Sequence, residues 1–283
     1  MSGAVENWAD PVFNRADRGA FHRRYVALAS LSPAGDGICR AAMEDEPHRF
    51  EVTIQHDGER VIGISANSPR IPWTTCGAAE EVLPRFIGER IAPGSGDDIR
   101  PAPFCTHMYY VARLAIAQAG RSVSSGEMLR QYDLRIRDRI FGVTRGEIYR
   151  NGALALALDV SDRTIVAPAQ FVGADFKKRL DWGDARPDAD ALEAAMLLRT
   201  GIMVANSLTP ALASYRRGWP MDTTPRDKAS MEGACYTYSG ARLDLGRPVY
   251  SWTDMADRRE DLLTDFPGMR RFADLSADSQ SGR

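Results

Sequence analysis

At 283 residues, with 44% hydrophobic and 26% charged side chains, the chain has a globular composition and the length to bury a substantial core. Its 36 lysines and arginines against 38 aspartates and glutamates give a net charge of -2, which excludes the concentrated basic footprint of a nucleic-acid binder. No apolar run reaches membrane-spanning length and Met1 to Asp17 lacks the hydrophobic stretch of a secretion signal, so the expected setting is the cytoplasm, away from membranes.

Residues Met1 to Arg24 read as a polar, irregular arm, with Trp8, Phe13 and Phe21 as anchors. Tyr25 to Leu31 and Gly37 to Met43 read as short strands on either side of the turn-rich Ser32 to Asp36. The strand signal is strongest where Phe50, Val52 and Ile54 alternate with Glu51, Thr53 and Gln55. Asp57-Gly58 then supplies a hairpin turn, and Val61 to Ile64 returns. Ala78 to Ile91 has a helical pattern with Pro84 inside it, and the Gly/Pro/Asp loop Ala92 to Pro103 follows.

Thr106 is placed to cap a helix that starts near His107, with Met108, Val111, Ala112, Ala115 and Ala119 inward and a stop near Gly120. Tyr132, Leu134 and Ile136 share one strand face, Ile140 to Tyr149 continues in β-favouring residues, and Leu154 to Val160 and Thr164 to Ala167 pair around Ser161-Asp162. Asp188 to Asn206 is the second clear helix, Met221 to Ser230 a polar loop, and Glu232 to Ser239 a strand. Ser276 to Arg283 reads as disordered.

The order hairpin, proline-rich turn, helix occurs twice. The expected fold is therefore α+β, with antiparallel sheets from two hairpin-plus-helix halves (25–125 and 126–260) packed into one unit. An arm (1–24) precedes that unit and a tail (261–283) follows it.

The unusual chemistry lies around Cys105-Thr106-His107, at the start of the first helix. The helix dipole there disfavours an imidazolium and favours a thiolate. The four cysteines, Cys39, Cys76, Cys105 and Cys235, are dispersed and form no CxxC pair, as in a protein with reduced thiols. Cys76, the run Leu83 to Gly88, Ile91 to Gly94 and the Cys105-Thr-His107 triplet resemble, in this order, an uncharacterised bacterial family, domain of unknown function 2889. Gly233-Ala-Cys-Tyr236 resembles that family's closing aspartate-x-cysteine-histidine element, with Tyr236 standing where the family has histidine. The resemblance is loosely associated with formaldehyde-releasing lyases that act on two-ring lignin fragments.

That chemistry requires an electron sink, which a para-phenol supplies by expelling a benzylic oxygen to form a quinone methide. The protein need only move protons, so no cofactor is implied. The candidate catalytic residues are His107, Tyr110, Tyr236 and Tyr238, with Arg113, Arg145 and Lys178 as cations and Trp73, Phe104 and Phe171 as an aromatic lining. His22, His48 and His56 fall in loop or turn contexts and carry no expected catalytic role. Two other readings stay open: a non-catalytic protein binding a small aromatic ligand, and a metal-dependent hydrolase using Cys76, Cys105, His107 and Cys235 as ligands. Cys105 as a nucleophile beside His107 is a further option. The expected partner is a small aromatic substrate, and whether the chain forms a homo-oligomer is left open.

Overall fold

The computed structural model describes residues 20–94, 104–137, 142–184, 187–216, 232–249, 255 and 258–271. The expectations for the first 17 residues, for Pro101 to Pro103, for Met221 to Ser230 and for Ser276 onward lie outside these. Among the described residues eight strands form one antiparallel sheet: β1 Ala20–Leu31, β2 Gly37–Glu44, β3 Arg49–His56, β4 Val61–Arg70, β5 Leu129–Arg137, β6 Val143–Arg150, β7 Ala153–Ser161 and β8 Thr164–Ala167. Their order in space is β4-β3-β2-β1-β5-β6-β7-β8, so two four-strand meanders meet at the central β1–β5 pair. Each meander leads through a short 3-10 turn into a long helix: α1, Thr106–Ser125, after the first and α2, Ala189–Arg216, after the second. Helix α1 lies across β1, β2 and β3, and α2 across β5, β6 and β7.

The hairpin at Asp57-Gly58 forms as its residues dictate. Gly58 takes φ +95°, and the Asp57 carboxylate accepts the backbone N–H of Glu59 at 2.9 Å and of Arg60 at 2.8 Å. In β3, Phe50, Val52 and Ile54 are fully buried, and the face they share is the one α1 covers. Asp188 accepts the N–H of Ala191 at 2.7 Å and so caps the start of α2.

Several boundaries differ from the expectations. β1 begins at Ala20, inside the stretch read as an arm, and its first five residues are buried. The helix expected over 78–91 is a 3-10 segment, Gly77–Phe86, where Pro84 has no N–H to extend an α-helical ladder. Helix α1 starts on Cys105 without a side-chain cap, and the Thr106 hydroxyl donates instead to the Ala234 carbonyl at 3.4 Å. Residues 232–239 form consecutive turns, not a strand, with the Gly233 N–H donating to the Tyr238 carbonyl at 2.7 Å.

Helix α1 also runs past Gly120 to Ser125 and ends at Gly126, which takes the left-handed φ of 73°. Gly120 is a point of close approach: a Cβ there would lie 2.6 Å from the Pro93 nitrogen, with the backbone of Ala92 nearer still. Gly120→Ala improves helix propensity, yet we expect it to cost about 1–3 kcal/mol through this overlap, read as a fall in the denaturation midpoint. A stabilised variant would show that the 92–93 backbone yields freely.

The second face of the sheet is covered too. Leu263 and Phe266 pack on Val26 and Ala42, and the Leu263 N–H donates to Glu44 at 2.8 Å. The beginning of the segment read as a tail is thus docked on the sheet. This double cover explains why β1 is buried along most of its length despite carrying Arg23 and Arg24 on adjacent positions. Arg23 faces the helices and Arg24 the C-terminal segment.

Candidate functional site

The turn between β2 and β3 is built by one carboxylate. Asp45 Oδ1 accepts the His48 backbone N–H at 2.8 Å and lies 2.9 Å from the His48 ring Nδ1. Its other oxygen takes Arg23 Nε at 2.8 Å and Nη2 at 2.5 Å, an ion pair wholly out of solvent. Arg70 Nη1 donates to the Asp45 backbone carbonyl at 2.6 Å and Arg70 Nη2 to Glu44 at 2.9 Å, which pins the turn to β4.

Helix α1 sets His107 onto this frame. The imidazole stacks on Phe50, with centroids 5.6 Å apart and planes 7° from parallel, and its centroid is 4.0 Å from that of His48. Arg23 Nη2 lies 3.5 Å from His107 Nε2. A guanidinium has no acceptor, so this contact assigns Nε2 as the acceptor and the ring proton to Nδ1. His107 keeps part of its surface exposed, whereas Arg23, Asp45 and His48 are buried.

The electrostatics agree with a neutral His107. Burial lowers its pKa well below the ordinary 6.5, the neighbouring His48 and Arg23 charges lower it further, and Asp45 offsets this only in part. The pKa of Asp45 is lowered too, which for a carboxyl favours the charged form. Burial opposes its ionisation, but His48 and Arg23 outweigh that and hold the carboxyl far below the usual carboxylate range. Arg23 is held above its ordinary value: burial would lower it, and Tyr25 and Asp45 more than compensate.

These shifts imply acid sensitivity in two windows. Below 6.5 the unfolded chain protonates its residue 107 before the folded protein can, so stability falls as pH drops toward the depressed folded value. The Asp45 contribution is fully present above 3.8 and is lost as pH falls through its lowered folded value. Denaturant midpoints measured against pH should therefore show a limb below 6.5 that His107→Gln flattens. An unchanged limb in that variant would assign it elsewhere.

The other residues singled out from sequence lie in separate groups. Tyr110 is buried edge-on to Tyr109, centroids 5.6 Å apart, and Phe104 packs on Tyr109 and Phe86 at 5.3 Å. Trp73 meets Tyr238 edge-on at 5.6 Å. The Tyr236 hydroxyl donates to Glu81 at 2.6 Å, and the Arg242 guanidinium sits 4.0 Å over its ring. Phe171 packs on Trp182 at 4.9 Å, Arg113 pairs with Glu89, and Arg145 pairs with Glu147 at 2.9 Å and Asp159 at 3.1 Å. Lys178 is exposed. Among the described residues, the side-chain contacts of His107 run to Arg23, His48 and Phe50 and not to Tyr236 or Tyr238.

The thiols correct a second expectation. Cys105 does sit at the start of α1, but burial pushes its pKa up to about 12, outweighing any pull of the helix dipole. Cys76, 3.3 Å from the Thr237 hydroxyl, is likewise pushed up to about 11, first by burial. Both shifts run against thiolate formation, the opposite of what an activated nucleophile requires. Among the described residues no three His, Cys, Asp or Glu side chains are arranged to hold a metal, so Cys76, Cys105, His107 and Cys235 are not assembled as a ligand shell.

Sequence reasoning missed Arg23, Tyr25, Asp45 and His48. Its one local signal was Asp45-x-x-His48 between two strands, a spacing that lets a turn carboxylate reach an imidazole. His22, read as a loop residue, lies within β1. Among the described residues no helix is long and apolar enough to cross a membrane. No protein-family model matches the chain, and no curated protein is significantly similar to it.

Proposed function

We propose that the chain is a cofactor-independent carbon–carbon lyase that releases formaldehyde from a small two-ring phenolic. The observation that carries this is the neutral, partly exposed His107 ring set against His48, whose Nδ1 is held by Asp45. Two adjacent imidazoles of different environment suit a reaction in which one proton leaves the substrate and another arrives.

Ionisation of the para-phenol expels the benzylic oxygen, which takes a proton from His48 and departs as water or an alcohol. The quinone methide that remains is the electron sink. His107 Nε2 then exchanges its long contact with Arg23 for the proton of the primary alcohol; the carbinol carbon leaves as formaldehyde, and the electrons of the broken C–C bond form the new alkene and restore the phenolate. Protons and electrons balance without an oxidant or a metal. Arg23, beside His107, is the cation nearest to the developing charge.

The four cysteines are free thiols in the structure, which supports a reducing, cytoplasmic setting. The repeated order of four strands, 3-10 turn and helix supports two pseudo-repeated halves, 25–125 and 126–260. The reading is tested by incubating the purified protein with candidate two-ring phenolics and assaying formaldehyde. Tight binding without formaldehyde would replace the lyase with the ligand-binding reading.

A further inference from the structure

The central strand pair carries the same three-residue unit twice. Arg23-x-Tyr25 lies on β1 and Arg130-x-Tyr132 on β5, with Tyr25 directly opposite Tyr132 in the ladder. In each unit the arginine donates to the tyrosine two residues on: Arg23 Nη1 to the Tyr25 oxygen at 3.1 Å, Arg130 Nη1 to the Tyr132 oxygen at 3.4 Å. All four side chains are buried on the face that the helices cover. Because the two tyrosines are mutual partners in an antiparallel pair, the two units are related by a local two-fold rotation.

What the units hold differs. In the second, the first turns of α2 bring an internal anion: the Tyr132 hydroxyl donates to Glu193 at 2.7 Å, with Arg130 Nη1 3.8 Å from the same oxygen. Arg130 holds this carboxylate although it is already paired with Glu127 and Asp190. In the first unit, α1 brings His107 to the corresponding arginine; the carboxylate there, Asp45, comes from the β2–β3 turn, bonds Arg23 and His48, and accepts nothing from Tyr25 among the described residues. The Tyr25 oxygen accepts from Arg23, but its own proton reaches no acceptor among the described residues, although the side chain is 1% exposed. A buried hydroxyl with an unspent proton is costly unless a ligand takes it.

We propose that Tyr25 and Arg23 form a cradle for an oxyanion of the substrate, a phenolate or carboxylate oxygen bound as Glu193 is bound by Tyr132 and Arg130. Arg23 being already paired with Asp45 is no obstacle, since Arg130 is equally committed and still serves Glu193. Burial raises the pKa of Tyr25 above its ordinary value, so the residue keeps the proton it would donate. The inference deepens the lyase reading, in which a phenolate is the electron sink, but binding can be measured apart from turnover.

The test is calorimetric titration of the full chain with 4-nitrophenolate and, separately, benzoate. Wild-type protein should bind at least one, and the stronger of the two identifies phenolate or carboxylate as the recognised group. Tyr25→Phe, which keeps the ring, should weaken that binding about tenfold or more, whereas Tyr132→Phe should leave it unchanged. Tyrosine labelled with 13C at Cζ provides a readout without substitution at Tyr25: its resonance should move on titration. Unchanged affinity in Tyr25→Phe, equal loss in Tyr132→Phe, or a Tyr25 resonance that does not respond would each overturn the cradle. Probe binding that depends on Tyr25 without formaldehyde release from any two-ring phenolic would uphold the cradle and remove the lyase.

Discussion

His107→Ala is expected to lower formaldehyde release by about 100- to 10,000-fold, the range for losing a general acid or base, while the protein stays folded. The fold should survive because His107 contributes little that α1 cannot replace: the helix is anchored by Met108, Val111, Ala112 and Ala115, all fully buried. The loss should fall on kcat, since in the proposed mechanism the imidazole moves a proton without being the main binding contact. His48→Ala should fall into the same range, and the double variant should be little worse than either single one, because two groups that act in one proton exchange are not additive. Asp45 is a positioning residue in this scheme. Asp45→Asn keeps the size but removes the charge shared by His48 and Arg23, so it should displace the pH–rate profile as well as lower the rate. Normal turnover in His107→Ala would exclude this ring from the chemistry.

The site was only half legible before the structure, for a reason that separates local from distant causes. Strand β3 announces itself because Phe50, Val52 and Ile54 need no more than a two-residue period to share a face. Helix α1 likewise follows from its own apolar spacing, and His107 falls in its first turn from either view. The neighbours of His107 are another matter. Arg23 and Arg24 look like a solvated arm until Asp45, 22 residues on, and Asp133, 109 residues from Arg24, neutralise them on opposite faces. Strand β1 therefore begins at Ala20 by tertiary compensation and not by propensity. Gly120 misled for a similar reason: it resembles a helix stop, yet its role is to admit the backbone of Ala92 and Pro93. A strand over 232–239 would set Tyr236 and Tyr238 opposite His107, but the turns that form there direct them to Glu81 and Trp73.

The largest effect on stability is expected from Arg24→Met. Arg24 is 2% exposed and, among the described residues, donates to Asp133 at 2.6 Å, to the Leu262 carbonyl at 3.1 Å and to the Arg270 carbonyl at 3.1 Å. Burial raises the pKa of Asp133 even with Arg24 and Gln131 pulling it back, so the aspartate has little tolerance for losing its cation. Removing Arg24 leaves a carboxyl at 0% exposure without its counter-charge, which costs about 3–5 kcal/mol in comparable buried pairs. Chemical denaturation of the single variant should show a loss of that order. Replacing both partners, as Arg24→Met with Asp133→Leu, should recover a good part of it, because the stranded carboxyl is gone. Attachment of the C-terminal segment should recover less, since the Leu262 carbonyl still lacks its donor and the Arg270 carbonyl keeps only Gln131 Nε2 at 3.0 Å. Limited proteolysis within 258–271 reads that second role directly: both variants should be cut faster than wild type, and only the single one should be strongly destabilised. Equal stability loss in the single and double variants would mean that the segment, and not the buried charge, dominates the energetics of this face.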